Sequence, residues 1–520
     1  MPHIIKIHAS ILWIFLIGLI ATQATYGQSA NLLPDSLIGH YVRSFNSQDE
    51  EKFVNLISNA QAADWLAANV PLFQCPDSKL EEVYYYRWWT FRKHLKETPH
   101  GYIFTEFITP VKHAGEFNSI SCALGHHIYE GRWLRQPRYI NQYIDFWLKY
   151  EQHQPKSKFH NFSNWISDAV YKFYLVHGDK QFATDRLDLM DKDFKYWERE
   201  RLRPDSLFWQ YDVRDGMEES VSGGRRVKNA RPTINAYMYG NALALARIAE
   251  VAGNDGLQEH YLQRAAEIKA LVDKNLWDDT AKFYKTKLES DGSLAPREAI
   301  GFIPWYFNLP DDASNYAEAW SQLNDTLGFN APWGLTTAER REPTFRTRGS
   351  GHGCEWDGAV WPFATTQTLK GLANLLTGYR RTGDMIKAVF YRELWKYANS
   401  HQKQGKLYLG EYQDEKTGYW LKGDSPRSEF YNHSGFCDLV ISDLIGFKPM
   451  EGDRFALQPL IPEGQWEWFC LDRIPYHGKT LTIIWDVHGT KYGKGKGLRI
   501  YADGELVKKS KRLRALEVTL

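Results

Sequence analysis

Three stretches of the chain mix carboxylates with aromatic rings and small turn residues. The first is Leu207-Phe208-Trp209-Gln210-Tyr211-Asp212-Val213-Arg214-Asp215-Gly216-Met217-Glu218-Glu219-Ser220, which runs through a Gly-rich turn to Arg231-Pro232-Thr233. Four acids fall within eight positions, on a stretch whose glycines argue for a loop. Taken singly, each acid reads as solvated loop. As a cluster beside Phe208, Trp209 and Tyr211, they read equally well as a site. The second stretch is Gly351-His352-Gly353-Cys354-Glu355-Trp356-Asp357-Gly358-Ala359-Val360-Trp361-Pro362. Pro362 can open a helix, because the first turn needs no backbone donor there. Glu355 and Asp357 can cap that helix, or they can bind sugar hydroxyls while Trp356 or Trp361 stacks on the ring. The third stretch is Leu409-Gly410-Glu411-Tyr412-Gln413-Asp414-Glu415-Lys416-Thr417-Gly418, followed by Ser428 to Phe436. Asp414 to Gly418 is an ordinary polar turn. Glu411 differs, since it precedes the turn among apolar and aromatic neighbours, where burial raises a carboxyl pKa and separates acid from base roles.

Carboxyl groups far apart in sequence but gathered at one rim suit glycoside cleavage. One protonates the leaving oxygen, and the other activates water or attacks directly. Rings beside polar groups suit the same substrate, because the apolar faces of sugars stack while their hydroxyls need partners. The residue types thus point to a carbohydrate enzyme.

Those stretches must be positioned by helices. Apolar residues at three-and-four spacing predict helices over residues 162–176, 233–252, 257–276, 316–323, 361–376 and 385–398, with Gly253 stopping the second of them. Helix pairs without a sequence repeat suggest a helical toroid or an irregular bundle. After Gly446 the pattern changes to short alternating runs, and Asp503-Gly504 is a hairpin signal. The expected organisation is mainly α: a signal peptide over 1–27, a helical catalytic domain over 28–447 and a small β-sheet domain over 448–520.

Composition narrows the partners. Lys plus Arg is 64 against Asp plus Glu 63, a net charge of +1, so no excess of either sign favours nucleic acid or an anionic membrane. Lys6, the apolar run of residues 11–20 and a small residue at Ala24 or Gly27 predict a secretory signal, hence export to the periplasm or beyond. No other run is long enough to span a membrane. The five cysteines show no metal-type spacing, and the His126-His127 pair has no evident third ligand, so neither metal nor cofactor is expected. Aromatics make up 15% of the chain. Many must be core, but Arg87, Trp88 and Trp89 are candidates for a subsite wall, against the plainer reading of a packed helix with a snorkelling Arg.

At these stretches the sequence resembles the six-hairpin glycosidases, closest in appearance to glycoside hydrolase family 63 and the mannosylglycerate hydrolases, with the family 37 trehalases further off. The resemblance implies an (α/α)6 barrel and inversion at the anomeric carbon. Gly216-Met217-Glu218-Glu219-Ser220 falls on the Gly-Met-Asp-x-Ser motif that holds the family's acid, which places Glu218 in that role, with Asp215 as its rival. Glu411 lies six residues before Thr417-Gly418, as the family's base does. Trp356-Asp357-Gly358-Ala359-Val360-Trp361-Pro362 resembles a pocket-lining stretch of family 63, with Asp357 where that family has Arg. Ser428-Glu429-Phe430 resembles a trehalase stretch and makes Glu429 a binding residue. Together with Arg87, Trp88 and Trp209, these form the expected substrate contacts, and the implied activity is hydrolysis of an α-linked oligosaccharide or glycan. Two other classes share the features: a glycan-binding protein without catalysis, and a polysaccharide lyase whose uronate would face Arg225 and Arg226.

Overall fold

The computed structural model describes residues 32–347 and 353–520. The predicted signal segment lies outside the described residues. Helices dominate up to the strand that begins at Phe447. Helix Leu124–Gly131 packs on Ile166–His177, which packs on Pro232–Val251. That helix meets the short Ile303–Tyr306, then Pro362–Gly378, then the π-helical segment Leu439–Leu444. Trp88, Trp133, Trp165, Trp305 and Trp320 are wholly buried in one hydrophobic core, so most of the chain's aromatic content is core.

Most predicted helices form. Residues 233–252 become Pro232–Val251, with Gly253 following at φ 68°; residues 361–376 become Pro362–Gly378. Two expectations change. The helix expected over 162–176 starts only at Ile166, because the Asn164 side chain accepts the Ile166 N–H and holds Phe162 to Trp165 in an entering segment. The one expected over 316–323 splits into Ser314–Ala317 and a 3-10 segment Glu318–Leu323, where the Ser321 hydroxyl donates to the Glu318 carbonyl. Local hydroxyl bonding of this kind competes with the α-helical ladder.

The last helical segment is tied to an early helix by buried charge. Glu130 of helix Leu124–Gly131 accepts the backbone N–H groups of Phe436, Cys437 and Asp438 at 3.2, 2.9 and 2.8 Å. Asp438 in turn accepts from Arg132 at 2.6 Å, from the Trp133 indole at 2.8 Å and from Lys370 at 3.0 Å. Arg132 and Lys370 hold its carboxyl well below the usual range despite complete burial. Lys370 also reaches Asp443 at 2.9 Å, and Lys448 bridges to the same carboxylate at 2.5 Å.

The C-terminal part is antiparallel. One sheet orders Leu72–Gln74, Trp468–Tyr476, Lys479–Asp486, Gly497–Ala502 and Glu505–Ser510; its first strand comes from the helical part, with Leu72 opposite Asp472. A second sheet pairs Phe447–Pro449, Arg454–Leu457 and Leu516–Thr519. Asp503 and Gly504 turn a hairpin at positive φ, as the dipeptide predicts. Another hairpin docks on a helix end, where the His477 N–H donates to the Val176 carbonyl at 3.0 Å. No helix among the described residues is long and apolar enough to cross a membrane. All five cysteines are unpaired, and four are buried as small apolar side chains.

Candidate active site

The three stretches converge. The second is sewn to the third by a pair of backbone hydrogen bonds between Val360 and Gln413, both 2.9 Å. Trp361 stacks between Trp356 and Tyr412, at centroid distances of 4.7 and 4.5 Å, and the Tyr412 hydroxyl donates to the Gly353 carbonyl at 2.9 Å. The first stretch joins through Arg346, which pairs with Glu219 at 2.7 Å and also with Asp357. Two glycines make the turns possible. Gly216 has φ 73°, and a Cβ there would sit 2.3 Å from the Cys122 sulfur; Gly418 has φ 71° with the Trp333 indole packed over it. Asp414 secures the second turn by accepting from the Lys416 and Thr417 N–H groups and from the Thr417 hydroxyl.

At the junction lies a cavity of about 120 Å³, and Glu218 and Glu411 both line it. Trp361, Phe363, His433, Tyr431, Arg427 and Glu106 share the wall. The two carboxyl groups differ in environment. Glu218 is half-buried with no ion pair among the described residues, and burial pushes its pKa up to about 7. Glu411 is 3% exposed, as its apolar neighbours predict, but Lys422 meets its carboxylate at 2.9 Å and Arg427 stands 3.9 Å away. The raised carboxyl pKa thus belongs to the residue that the resemblance places as the acid.

The remaining predicted residues fall elsewhere. Asp215 is fully buried and pairs with Arg231 at 2.7 Å, just before helix Pro232–Val251; it does not line the cavity. Arg87 donates to the Ser434 carbonyl at 2.6 Å and to the Tyr397 hydroxyl at 2.9 Å, so it braces the backbone beside His433 from behind. Trp88 is wholly buried on the same helix, Ser78–Lys93. Trp209 is packed between Arg201 and Lys228, away from the cavity wall. Trp356 lies behind Trp361 in the ring stack, which leaves Trp361 as the indole that faces the cavity. Asp357 neither caps the next helix nor lines this cavity; it lines a shallow groove with Arg346 and Arg225. Glu429 is exposed in a separate groove with Asp49, Lys52 and Phe430, which shares Arg427 with the cavity. No group of His, Cys, Asp and Glu among the described residues could hold a metal. His127 instead bonds to Tyr143 and to the Asn432 carbonyl.

Sequence reasoning missed Glu106. It follows strand Gly101–Phe104 and lies buried against the cavity, where Tyr431 donates to its Oε1. Burial first, then the nearby Glu411 and Glu218 charges, push its pKa up to about 8, against the opposing effect of Tyr431. One signal was present in the sequence: a single acid within the otherwise uncharged run Gly101 to Val111.

Comparison with known proteins bears on the family and the fold. Residues 449–508 match the C-terminal domain of glycosyl hydrolase family 65. A solved protein described as a sialidase is 48% identical with a TM-score of 0.91, over 94% of this chain and 45% of that one. The family 78 rhamnosidase of Bacillus sp. GL1 shares the fold at 11% identity and a TM-score of 0.59, over 83% of this chain and 41% of its own. An uncharacterized protein of Borreliella burgdorferi is 23% identical over 205 residues, 39% of this chain and 41% of that protein. The chain thus spans less than half the length of each of these relatives. Residues 116–434, well over half of the sequence, match the mannosylglycerate hydrolase MGH1-like glycoside hydrolase domain, and the chain belongs to that glycoside hydrolase family.

Proposed function

We propose that this protein hydrolyses an α-linked glycosidic bond with inversion, Glu218 acting as general acid and Glu411 as general base. One observation carries the reading: two carboxyl groups from distant stretches line one small cavity in opposite electrostatic settings. A carboxyl with a pKa of about 7 is about half protonated at neutral pH and can deliver its proton to a leaving oxygen. A carboxylate paired with Lys422 is the partner that accepts a proton from water. Such a split between two acids is how one site runs both halves of the reaction. Trp361 offers the stacking face for the sugar.

The successive helix contacts, closed by Glu130 on the backbone of residues 436–438, support an (α/α)6 toroid over 28–447 with the cavity at one rim and the β domain of 448–520 as its support. The apolar run after Lys6 supports export, with the protein working in the periplasm or outside the cell.

The test is a panel of α- and β-linked glycosides followed by product NMR. A sialoside belongs in the panel, because the 48%-identical relative is described as a sialidase and Arg427 places a cation on the cavity wall. Release of sugar from an α-glycoside, abolished by Glu411→Gln, is expected. Full turnover by that variant would remove Glu411 from the role of base.

A further inference from the structure

Three carboxyl groups, not two, meet at the cavity. Glu106 is 5% exposed, lines the cavity and has its Oε1 occupied by the Tyr431 hydroxyl. Its Oε2 is buried and has no hydrogen-bond partner among the described residues. A buried polar atom left unmatched costs about 1–3 kcal/mol, so such atoms in native proteins call for an explanation. We propose that Glu106 is a substrate-binding residue: as an uncharged carboxylic acid it donates the Oε2 hydrogen to a hydroxyl of the sugar held between Glu218 and Glu411. This assignment rests on the reading of the cavity as a sugar site, and it adds a contact that the acid–base pair does not require.

The surroundings favour the neutral form. Glu218 faces Glu106 from the first stretch and Glu411 from the third, and both add negative charge. Tyr431 donates to Oε1 and opposes this, but it occupies one oxygen only and leaves Oε2 to carry the proton. Around the same wall, burial holds His433 and His113 below the ordinary histidine range, and burial raises the thiols of Cys122 and Cys354, so all four are uncharged near neutrality. Among the described residues, Arg427 is the cation on the cavity wall, and Lys422 is committed to Glu411. With a pKa of about 8, Glu106 keeps its proton at neutral pH, and Oε2 loses its donor hydrogen as pH rises through that value.

Binding is read by saturation-transfer NMR with free D-mannose, D-glucose, D-galactose, L-rhamnose and L-arabinose, on the full chain. At least one sugar should bind the wild type, with affinity falling as pH rises through about 8. Glu106→Gln, which keeps both an acceptor and a donor, should bind within about threefold of wild type and lose that pH dependence. Glu106→Leu should weaken binding about tenfold while its melting curve still shows a folded protein. Should Glu106→Leu not fold, Glu106→Gln alone decides through its pH profile. The proposal is overturned if no sugar binds the wild type, if Glu106→Leu binds as wild type does, or if the pH dependence survives in Glu106→Gln. Failure of the catalytic reading looks different: Glu411→Gln would then still hydrolyse, whatever Glu106 does to affinity.

Discussion

Two clusters of buried charge sit in this fold, and they are built differently. Around Asp438, every carboxylate has close partners: Arg132 and Lys370 on Asp438, Lys370 and Lys448 on Asp443, and three backbone N–H groups on Glu130. Around the cavity, one of three carboxyl groups has a cation at short range among the described residues. Glu411 has Lys422, whereas Glu218 and Glu106 carry raised pKa values of about 7 and about 8. Burial costs both clusters. In the first, the protein answers it with opposite charge, and the result holds elements together. In the second, the answer is incomplete, and the groups left short of partners are those that can exchange protons or bind a ligand.

The comparison can be broken by removing one carboxylate from each cluster. Glu411→Gln should lower kcat by about 10³–10⁴-fold, with the melting temperature changed little, in steady-state assays on whichever glycoside the wild type cleaves. Asp438→Asn should do the reverse. It strands Arg132 in the interior, leaves Lys370 with Asp443 alone, and should cost about 3–5 kcal/mol in denaturant unfolding, while the folded fraction keeps its turnover. A stable Asp438→Asn variant would show that the paired cluster is not structural.

Within the cavity cluster, the acid and the base separate by leaving group. Glu218→Gln should lose about 10²-fold on natural glycosides, and much less on a 4-nitrophenyl glycoside, whose leaving group needs no proton. The wild type's kcat/KM should fall as pH rises through about 7, where Glu218 loses its proton, and that limb should vanish in the variant. A limb that stays in Glu218→Gln assigns it to another group.

The smallest effect is on stability. Glu218 and Glu106 bind protons more tightly folded than unfolded, so their contribution is fully present below the ordinary value of about 4.5 and is lost as pH rises through about 7 and about 8. Thermal melts should therefore drop by a few degrees between pH 5 and pH 9, and Glu106→Gln should flatten part of that drop. An unchanged slope in the variant would place the Glu106 titration outside this window.

What was legible in the sequence follows from how local each signal is. The long helices showed their apolar faces, and the hairpin at Asp503-Gly504 showed its turn chemistry, because both patterns lie within a few residues. Glu218 and Glu411 stood out for the same reason, each set in a short motif beside glycine and aromatic residues. Arg87, Trp88 and Trp209 did not resolve. An aromatic beside a charge reads alike whether it lines a pocket or packs in the core, and only the fold shows that Arg87 braces Ser434 from the buried side. Glu106 was invisible as a site residue because its meaning comes from Tyr431, Glu218 and Glu411, all more than a hundred positions away. Asp357 shows the same limit. Its position before Pro362 allows either a cap or a sugar contact, and only the fold shows Arg346 on its carboxylate.

The most direct test of the account is the anomeric form of the first product. Proton NMR of an α-glycoside mixed with the wild-type protein, read before mutarotation equilibrates the sugar, should show the β-anomer appearing first, as water activated by Glu411 attacks opposite the bond that Glu218 protonates. Initial release of the α-anomer would mean retention, and would contradict the assignment of Glu411 as a base acting on water.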